Sequence, residues 1–356
     1  MQQGKLHPFR AWTAWLLAIG LCGVPVATSG TDSKVNEAIS RGVEFLVSVQ
    51  AADGAMADRG YRVAMTAWAV MAMAAAGHQP ADPTREGEAM GGAIDFILRS
   101  AGRWEGYVYF GSGSRGTYEH GMTTLALSEI LGLGADKLRE PVIRECCQSA
   151  IALITATQFS RGSWPYAPRT SPCTVPGDLS ISLWPLLALH AASRAGIDVS
   201  ESTISLAGTF VQDCYGSAAD GGFSYVPRVS RGGFAMNASG VRGLQVSNQP
   251  NHPGAVATIG WLRANPPSYG QNWFFYGAYY YAQAMEFSGG AAAADAHRVL
   301  DRVLLPAQRA DGSWLGNSSE VSIGQVYSTS MAILSLAARD QRLSIFQANP
   351  KLPGAK

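Results

Sequence analysis

The sequence predicts an all-α chain folded as an α/α toroid, a ring of six helical hairpins with one helix of each pair inside and the other outside. Three observations predict it. One unit recurs along the chain at a spacing of about 40 to 60 residues, a helical-hairpin period. Within each unit one helix is apolar nearly all round, as in Met65-Thr66-Ala67-Trp68-Ala69-Val70-Met71-Ala72-Met73, and the other is amphipathic. No β-run of useful length competes, since WEGYVYF and GFSYVP are short and fall in the turns. A helix apolar on every side has to be covered on several sides. A closed ring provides that cover and leaves no array end exposed.

The recurring unit can be followed in order. The first pass runs through Arg41-Gly42-Val43-Glu44-Phe45-Leu46, Gln50 and Asp53-Gly54 into a helix from Ala64 to Ala76. A weaker copy passes through Phe96 and Gly106-Tyr107 into the helix from Tyr118 to Ile130. The third has Leu153-Ile154, Gln158, Gly162-Ser163-Trp164 and a helix around Ser182 to Ala192. The fourth shows Phe210 and Gly221-Gly222-Phe223, and the fifth runs through Trp261 into the aromatic helix from Trp273 to Phe287. The last has Val303-Leu304, Gln308, Asp311-Gly312-Ser313-Trp314 and a helix around Tyr327 to Ala337.

The pattern of Gln followed by Gly-x-Trp, at Gln158 to Trp164 and Gln308 to Trp314 and degenerate at Gln50 to Met56, resembles the QW motif of the prenyltransferase and squalene-oxidase repeat family. The resemblance covers Asn36 to Gln347. It is nearest to exported bacterial members, through Tyr118-Glu119-His120-Gly121, Trp164-Pro165-Tyr166-Ala167-Pro168, Tyr276-Gly277-Ala278-Tyr279-Tyr280 and the ending Leu343-Ser344-Ile345-Phe346-Gln347. It implies that Gln50, Gly54, Gln158, Gly162, Trp164, Gln308, Gly312 and Trp314 are structural, the Gln capping the next helix and tying outer helix to inner helix.

Composition sets the outer limits. Of 356 residues 40 are glycine, 47% are hydrophobic and 15% are charged, against roughly a quarter charged in an average soluble protein. That excludes a disordered or collagen-like chain. Twenty-seven Lys and Arg against 26 Asp and Glu leave a net charge of +1, so no basic surplus drives the counterion release on which nucleic-acid binding depends.

Lys5 and Arg10 precede an uncharged, mostly apolar run from Ala11 to Ala27, with small residues at Ala27-Thr28-Ser29. This layout predicts a signal peptide over residues 1–29, a linker over 30–35, the toroid over 36–347 and a tail over 348–356. The expected location is periplasmic or extracellular, with no stable membrane span after cleavage. Anchoring by an uncleaved segment is the alternative, because about 17 apolar residues is the lower edge of a span. An oxidising compartment would permit bridges among Cys146, Cys147, Cys173 and Cys214, whose pairing the sequence does not give. The C-x-x-C and H-x-x-x-H spacings of zinc sites are absent, so neither a metal nor a cofactor is expected.

The chemistry that the resemblance implies can be tested residue by residue. A class II triterpene cyclase protonates an alkene with the middle acid of a D-x-D-D motif at the start of an inner helix. The matching stretch here is Asp178-Leu179-Ser180-Ile181, with a serine in place of the acid, and a hydroxyl cannot protonate an isolated double bond. No D-D-x-x-D magnesium cluster and no Cys-Gly-Glu-Gln thioester run occurs. Zinc-dependent prenyl transfer would have to use Cys173, Asp178 and His120 without the Asp-x-Cys spacing, Asp213-Cys214 being adjacent.

What remains is a cleft where the inner helices begin. Its candidate lining is Tyr61, Trp68, Tyr118, His120, Asp178, Trp184, Tyr276, Tyr279 and Tyr327. Seven rings between Trp273 and Tyr281 cannot all point one way at about 100° per residue, so part of that run packs between hairpins. Asp178 also reads as an N-cap, His120 and His190 as structural residues, and His252 and His297 as exposed ones. The expected function is binding of an apolar, isoprenoid-like small molecule or a peptide. The alternative is an enzyme, a non-canonical terpenoid cyclase or a glycan-active hydrolase or lyase, using Asp178, His120 and Glu119.

Overall fold

The computed structural model describes residues 30–134, 136–168, 177–217, 222–228 and 232–347. Residues 1–29, expected to be a signal peptide, together with Cys173, Gly221 and residues 348–356, expected to be a tail, lie outside the described residues. Six helical hairpins follow one another: α1 Gly30–Ser48 with α2 Arg62–Ala76, α3 Arg85–Arg99 with α4 Gly116–Leu133, and α5 Glu140–Ala156 with α6 Leu179–Arg194. Then come α7 Glu201–Asp213 with α8 Gly233–Val246, α9 Pro253–Ala264 with α10 Phe274–Ser288, and α11 Gly290–Leu304 with α12 Gln325–Ala337. A short hairpin of β1 Gly102–Trp104 and β2 Tyr107–Tyr109 decorates the second turn.

The second helix of each pair is the buried one. In α2 every residue from Ala64 to Ala75 is buried, and α8 and α12 are buried almost throughout. α3 and α11 instead bury one stripe and present charge on the other. The inner helices pack in sequence, α2 on α4, α4 on α6, α6 on α8, α8 on α10 and α10 on α12, and α12 returns to α2. That last contact closes the ring.

The repeated turn makes the same bonds each time. Gln50, Gln158 and Gln308 donate through Nε2 to the carbonyl of their own turn glycine, Gly54, Gly162 or Gly312, at 3.0, 3.1 and 2.9 Å. Each also donates to a carbonyl of the next outer helix, Ala89 at 2.8 Å, Thr203 at 2.9 Å and Ala38 at 2.8 Å. The glutamine therefore ties outer helix to outer helix, which corrects the link implied by resemblance. The tie to the inner helix belongs to the following position. The backbone N–H groups of Met56, Trp164 and Trp314 donate to Thr66, Ser182 and Thr329 on inner helices. The indoles of Trp164 and Trp314 reach back to Ile154 and Leu304. At Gly162 and Gly312, φ values of 89° and 85° and carbonyl oxygens 2.0 and 2.2 Å from where a Cβ would stand leave room for glycine alone.

Helix α1 already runs through residues 30–35, which the sequence reading assigned to a linker. Asp32 in its first turn favours the helix dipole, and no breaker follows Gly30. At the far end, Ser344–Phe346 forms a 3₁₀ turn that packs on α4, α6 and α10 and stops the ring there. Glu129 of α4 accepts from Ser344 N and Oγ, each at 2.7 Å, and from Ile345 N at 3.1 Å. Among the described residues no helix is long and apolar enough to cross a membrane.

Candidate functional site

All six inner helices begin at the opposite mouth, around a cleft of about 520 Å³. Tyr61 and Tyr118 at the starts of α2 and α4, Ser180 in the first turn of α6, and Met236, Tyr276 and Tyr327 at the starts of α8, α10 and α12 all line it. Four of these starts, those of α4, α6, α10 and α12, are anchored by turns from the next hairpin in the ring. Thr117 N donates to Tyr166 O, and Leu179 N to Tyr225 O. Phe275 N and Tyr276 N each donate to the Glu320 carboxylate at 3.0 Å, and Gln325 N and Val326 N donate to Asp58 at 2.7 and 3.2 Å. Each neighbour thus satisfies backbone donors that a helix leaves free in its first turn.

Aromatic rings form the floor. Trp68 of α2 and Trp184 of α6 meet edge to face at 4.9 Å, and Tyr276 stands at 5.9 Å from Trp184. Below them Tyr279 lies 5.2 Å from Trp68 and 5.8 Å from Trp184. Tyr279 is fully buried outside the cleft lining, so its expected place in the cleft is corrected to a packing role beneath the floor. The physical reason is depth along α10: Tyr276 stands in the first turn at the mouth, whereas Tyr279, almost one turn further on, packs against Trp68 and Trp184.

The expected acid–base group does not assemble. His120 is 2% exposed and absent from the lining. Its Nδ1 accepts from Phe110 N at 3.4 Å, so Nε2 carries the proton and donates to Ala150 O at 3.2 Å. Burial pushes its pKa down to about 4, so it is neutral and structural at pH 7. Asp178 also lies outside the lining, as the N-cap of α6. Its Oδ1 accepts from Ile181 N at 3.0 Å and Ser180 Oγ at 2.7 Å, and Oδ2 accepts from the Tyr166 hydroxyl. Because Ser180 has one proton and gives it to Asp178, Tyr118, 2.7 Å away, donates to Ser180. The result is a directed chain from Tyr118 through Ser180 to Asp178, in which the carboxylate accepts from every recorded partner.

Glu119 does line the cleft. Its Oε2 accepts from Ser112 N at 3.0 Å and Ser112 Oγ at 2.8 Å, and burial raises its pKa above the ordinary carboxylate range. Burial likewise raises the hydroxyls of Tyr118, Tyr276 and Tyr327, and Tyr166 is pushed up to about 12, so these tyrosines stay protonated donors at neutral pH. Among the described residues no group of three His, Cys, Asp or Glu side chains is placed to hold a metal ion. Elsewhere, His252 accepts from Gly254 N to cap α9 and His297 bonds Glu286 at 2.8 Å, so neither stands free in solvent as expected.

The sequence reading missed Tyr166, Tyr225, Met122, Trp273, Arg59 and Arg115 in the lining. The two tyrosines carried a usable signal. Each stands two residues after the aromatic of its repeat, Trp164 or Phe223, where the turn points to the mouth.

The architecture recurs in solved structures. An α-1,6-mannanase of Salegentibacter sp., in an inactive variant with two consecutive aspartates replaced and α-1,6-mannotriose bound, superposes with a TM-score of 0.60 at 9% identity, over 86% of this chain and 99% of its own. A type II terpene cyclase from Scytonema with its product merosterolic acid A gives 0.57 at 16% identity, over 87% and 98%. A variant of that cyclase holding its substrate geranylgeranyl dihydroxybenzoate gives 0.57 at 15%, over 88% and 99%. No protein-family profile and no curated protein matches the sequence. At these identities the likeness establishes the α/α toroid fold alone.

Proposed function

We propose that this protein is an exported ligand-binding toroid whose cleft takes an apolar, isoprenoid-like small molecule and does not cyclise it. One observation carries the reading: the cleft has an indole floor, Trp68 and Trp184, while Asp178 and His120, the groups that a proton-transfer site would need, are held in a helix cap and in the core. Flat apolar rings under a mouth of protonated tyrosines suit a hydrocarbon body with few polar groups. That the Scytonema cyclase holds a geranylgeranyl compound in the same fold supports this choice over a peptide.

Titration with geranylgeraniol, followed by tryptophan fluorescence and calorimetry, is expected to give saturable one-to-one binding that weakens at least tenfold in Trp184→Ala. Saturation by α-1,6-mannotriose with no response to the isoprenoid would overturn the reading.

A second reading, glycan hydrolysis, rests on Glu119, a carboxyl group that lines the cleft with its pKa raised by burial. Glycoside hydrolysis ordinarily uses two carboxyl groups flanking the bond, and among the described lining residues Glu119 is the one carboxylate. New reducing ends from α-1,6-mannan, abolished by Glu119→Gln, would establish it.

A further inference from the structure

Two cationic side chains line the cleft that an apolar occupant alone would leave unanswered. Arg59 comes from the turn between α1 and α2, and its stem lies against the turn before α12, where a Cβ at Gly324 would stand 2.9 Å from the Arg59 Cγ. Arg115 ends the 3₁₀ turn Gly113–Arg115 and immediately precedes α4. It lines both the cleft and an adjoining recess shared with Tyr61, Ser112 and Ser114.

Neither arginine makes an ion pair among the described residues. Elsewhere the chain pairs its arginines readily: Arg62 with Asp53, Arg139 with Asp95 and Asp136, Arg263 with Asp295, and Arg339 with Asp301. The acids nearest the mouth are engaged by other donors. Glu119 accepts from Ser112, Asp58 from the first amides of α12, and Asp178 from its own helix and Tyr166. Six inner helices begin here as well, each adding a partial positive charge. At the floor, the indole N–H groups of Trp68 and Trp184, residues 1% and 0% exposed, have no acceptor among the described residues. The walls are largely apolar, and two guanidinium groups without an ion-pair partner among the described residues stand at the mouth.

We propose that the occupant of this cleft is an amphiphilic anion, its carboxylate or phosphate lodged at the rim between Arg59 and Arg115 and its apolar body lying on Trp68 and Trp184. A guanidinium pairs with either oxyanion through parallel N–H donors. The inference rests on the reading of the cleft as an apolar-ligand site and adds the charge of the ligand to it.

The test uses three probes with one hydrocarbon: geranylgeranoic acid, geranylgeranyl monophosphate and geranylgeraniol, titrated calorimetrically into the full chain. At low salt at least one of the two anions is expected to bind ten or more times tighter than the alcohol, and which of them does so identifies the head group. The preference for the anion over the alcohol, both measured on the same protein, should fall below threefold in the double variant Arg59→Gln, Arg115→Gln. The double variant Arg59→Lys, Arg115→Lys should recover part of it. Equal binding of acid, phosphate and alcohol to the wild type would overturn the anionic head group and leave the apolar cleft standing. An anion preference that survives the double glutamine variant would equally overturn the assignment to these arginines. Binding of none of the three would remove the apolar reading and this proposal together.

Discussion

Gln308 donates through Nε2 to the carbonyl oxygen of Ala38 at 2.8 Å across 270 positions of sequence, joining the last hairpin to the first. The same side chain holds Gly312 O at 2.9 Å, so one amide both shapes its turn and closes the ring. Gln50 and Gln158 make the equivalent links within the ring.

Replacing Gln308 by Leu removes both bonds, leaving the part-buried Gly312 carbonyl without this donor and Ala38 O with its helical bond alone, a cost of about 1–3 kcal/mol. Gly312→Ala should cost more, because a Cβ there meets Arg41 O at 2.2 Å in a backbone conformation with φ of 85°. Denaturant unfolding followed by circular dichroism checks both. A Gln308→Leu protein as stable as the wild type would show that the first and last hairpins do not depend on this link.

Asp178 is placed as a cap. Asp178→Ala is therefore expected to lower stability by about 1–2 kcal/mol while geranylgeraniol binding changes less than threefold, and Asp178→Asn should recover most of the loss. Differential scanning calorimetry and the binding titration together decide it. Squalene turnover by the wild type, abolished in Asp178→Asn, would instead make the carboxyl a proton donor.

The ring was legible in the sequence because its cause is local. Gln, then a glycine at positive φ, then an aromatic, followed by an apolar helix, writes two of the hairpins in full into consecutive residues, at Gln158 to Trp164 and Gln308 to Trp314, and the others in part. The cleft was only partly legible. Tyr61, Trp68, Tyr118, Trp184, Tyr276 and Tyr327 fall where inner helices begin, and position along the helix was enough to find them. His120 lies two positions past Tyr118, on the opposite side of α4, and Tyr279 lies nearly a full turn deeper than Tyr276 on α10, so phase in one case and depth in the other put them in the core. Arg59 and Arg115 belong to turns, where no periodicity says which way a side chain faces. Glu320 escaped for a further reason, since its partners on α10 are 45 and 44 positions away.

His120 should set part of the acid limit of stability. Burial depresses its pKa from 6.5 to about 4, so the folded protein resists a proton that the unfolded chain accepts. The sign follows: the contribution is present in full above the unfolded value and is lost as pH falls from 6.5 through 4. The loss across that window is on the order of 3 kcal/mol for a fully buried group. His120→Gln, which can keep one donor and one acceptor, should show a flatter fall in stability between pH 6.5 and 4. Parallel pH profiles for the two proteins would contradict the buried neutral histidine.

Glu320 connects the cleft wall to its neighbour. Its carboxylate, 0% exposed, accepts from Phe275 N and Tyr276 N and from the Tyr327 hydroxyl at 2.9 Å, so it positions two lining tyrosines at once. Glu320→Gln turns one acceptor oxygen into a donor nitrogen facing donors, which should cost about 1–3 kcal/mol and weaken geranylgeraniol binding several-fold. Burial also raises the pKa of Glu320 in the folded state. A group of that kind contributes stability below its unfolded pKa and loses the contribution as pH rises through the folded one. The difference in stability between wild type and Glu320→Gln should therefore narrow as pH climbs from the ordinary carboxylate range toward neutrality. Thermal melts of both proteins across that range, each paired with a binding titration, would expose the opposite trend if the carboxylate were instead stabilised by charge.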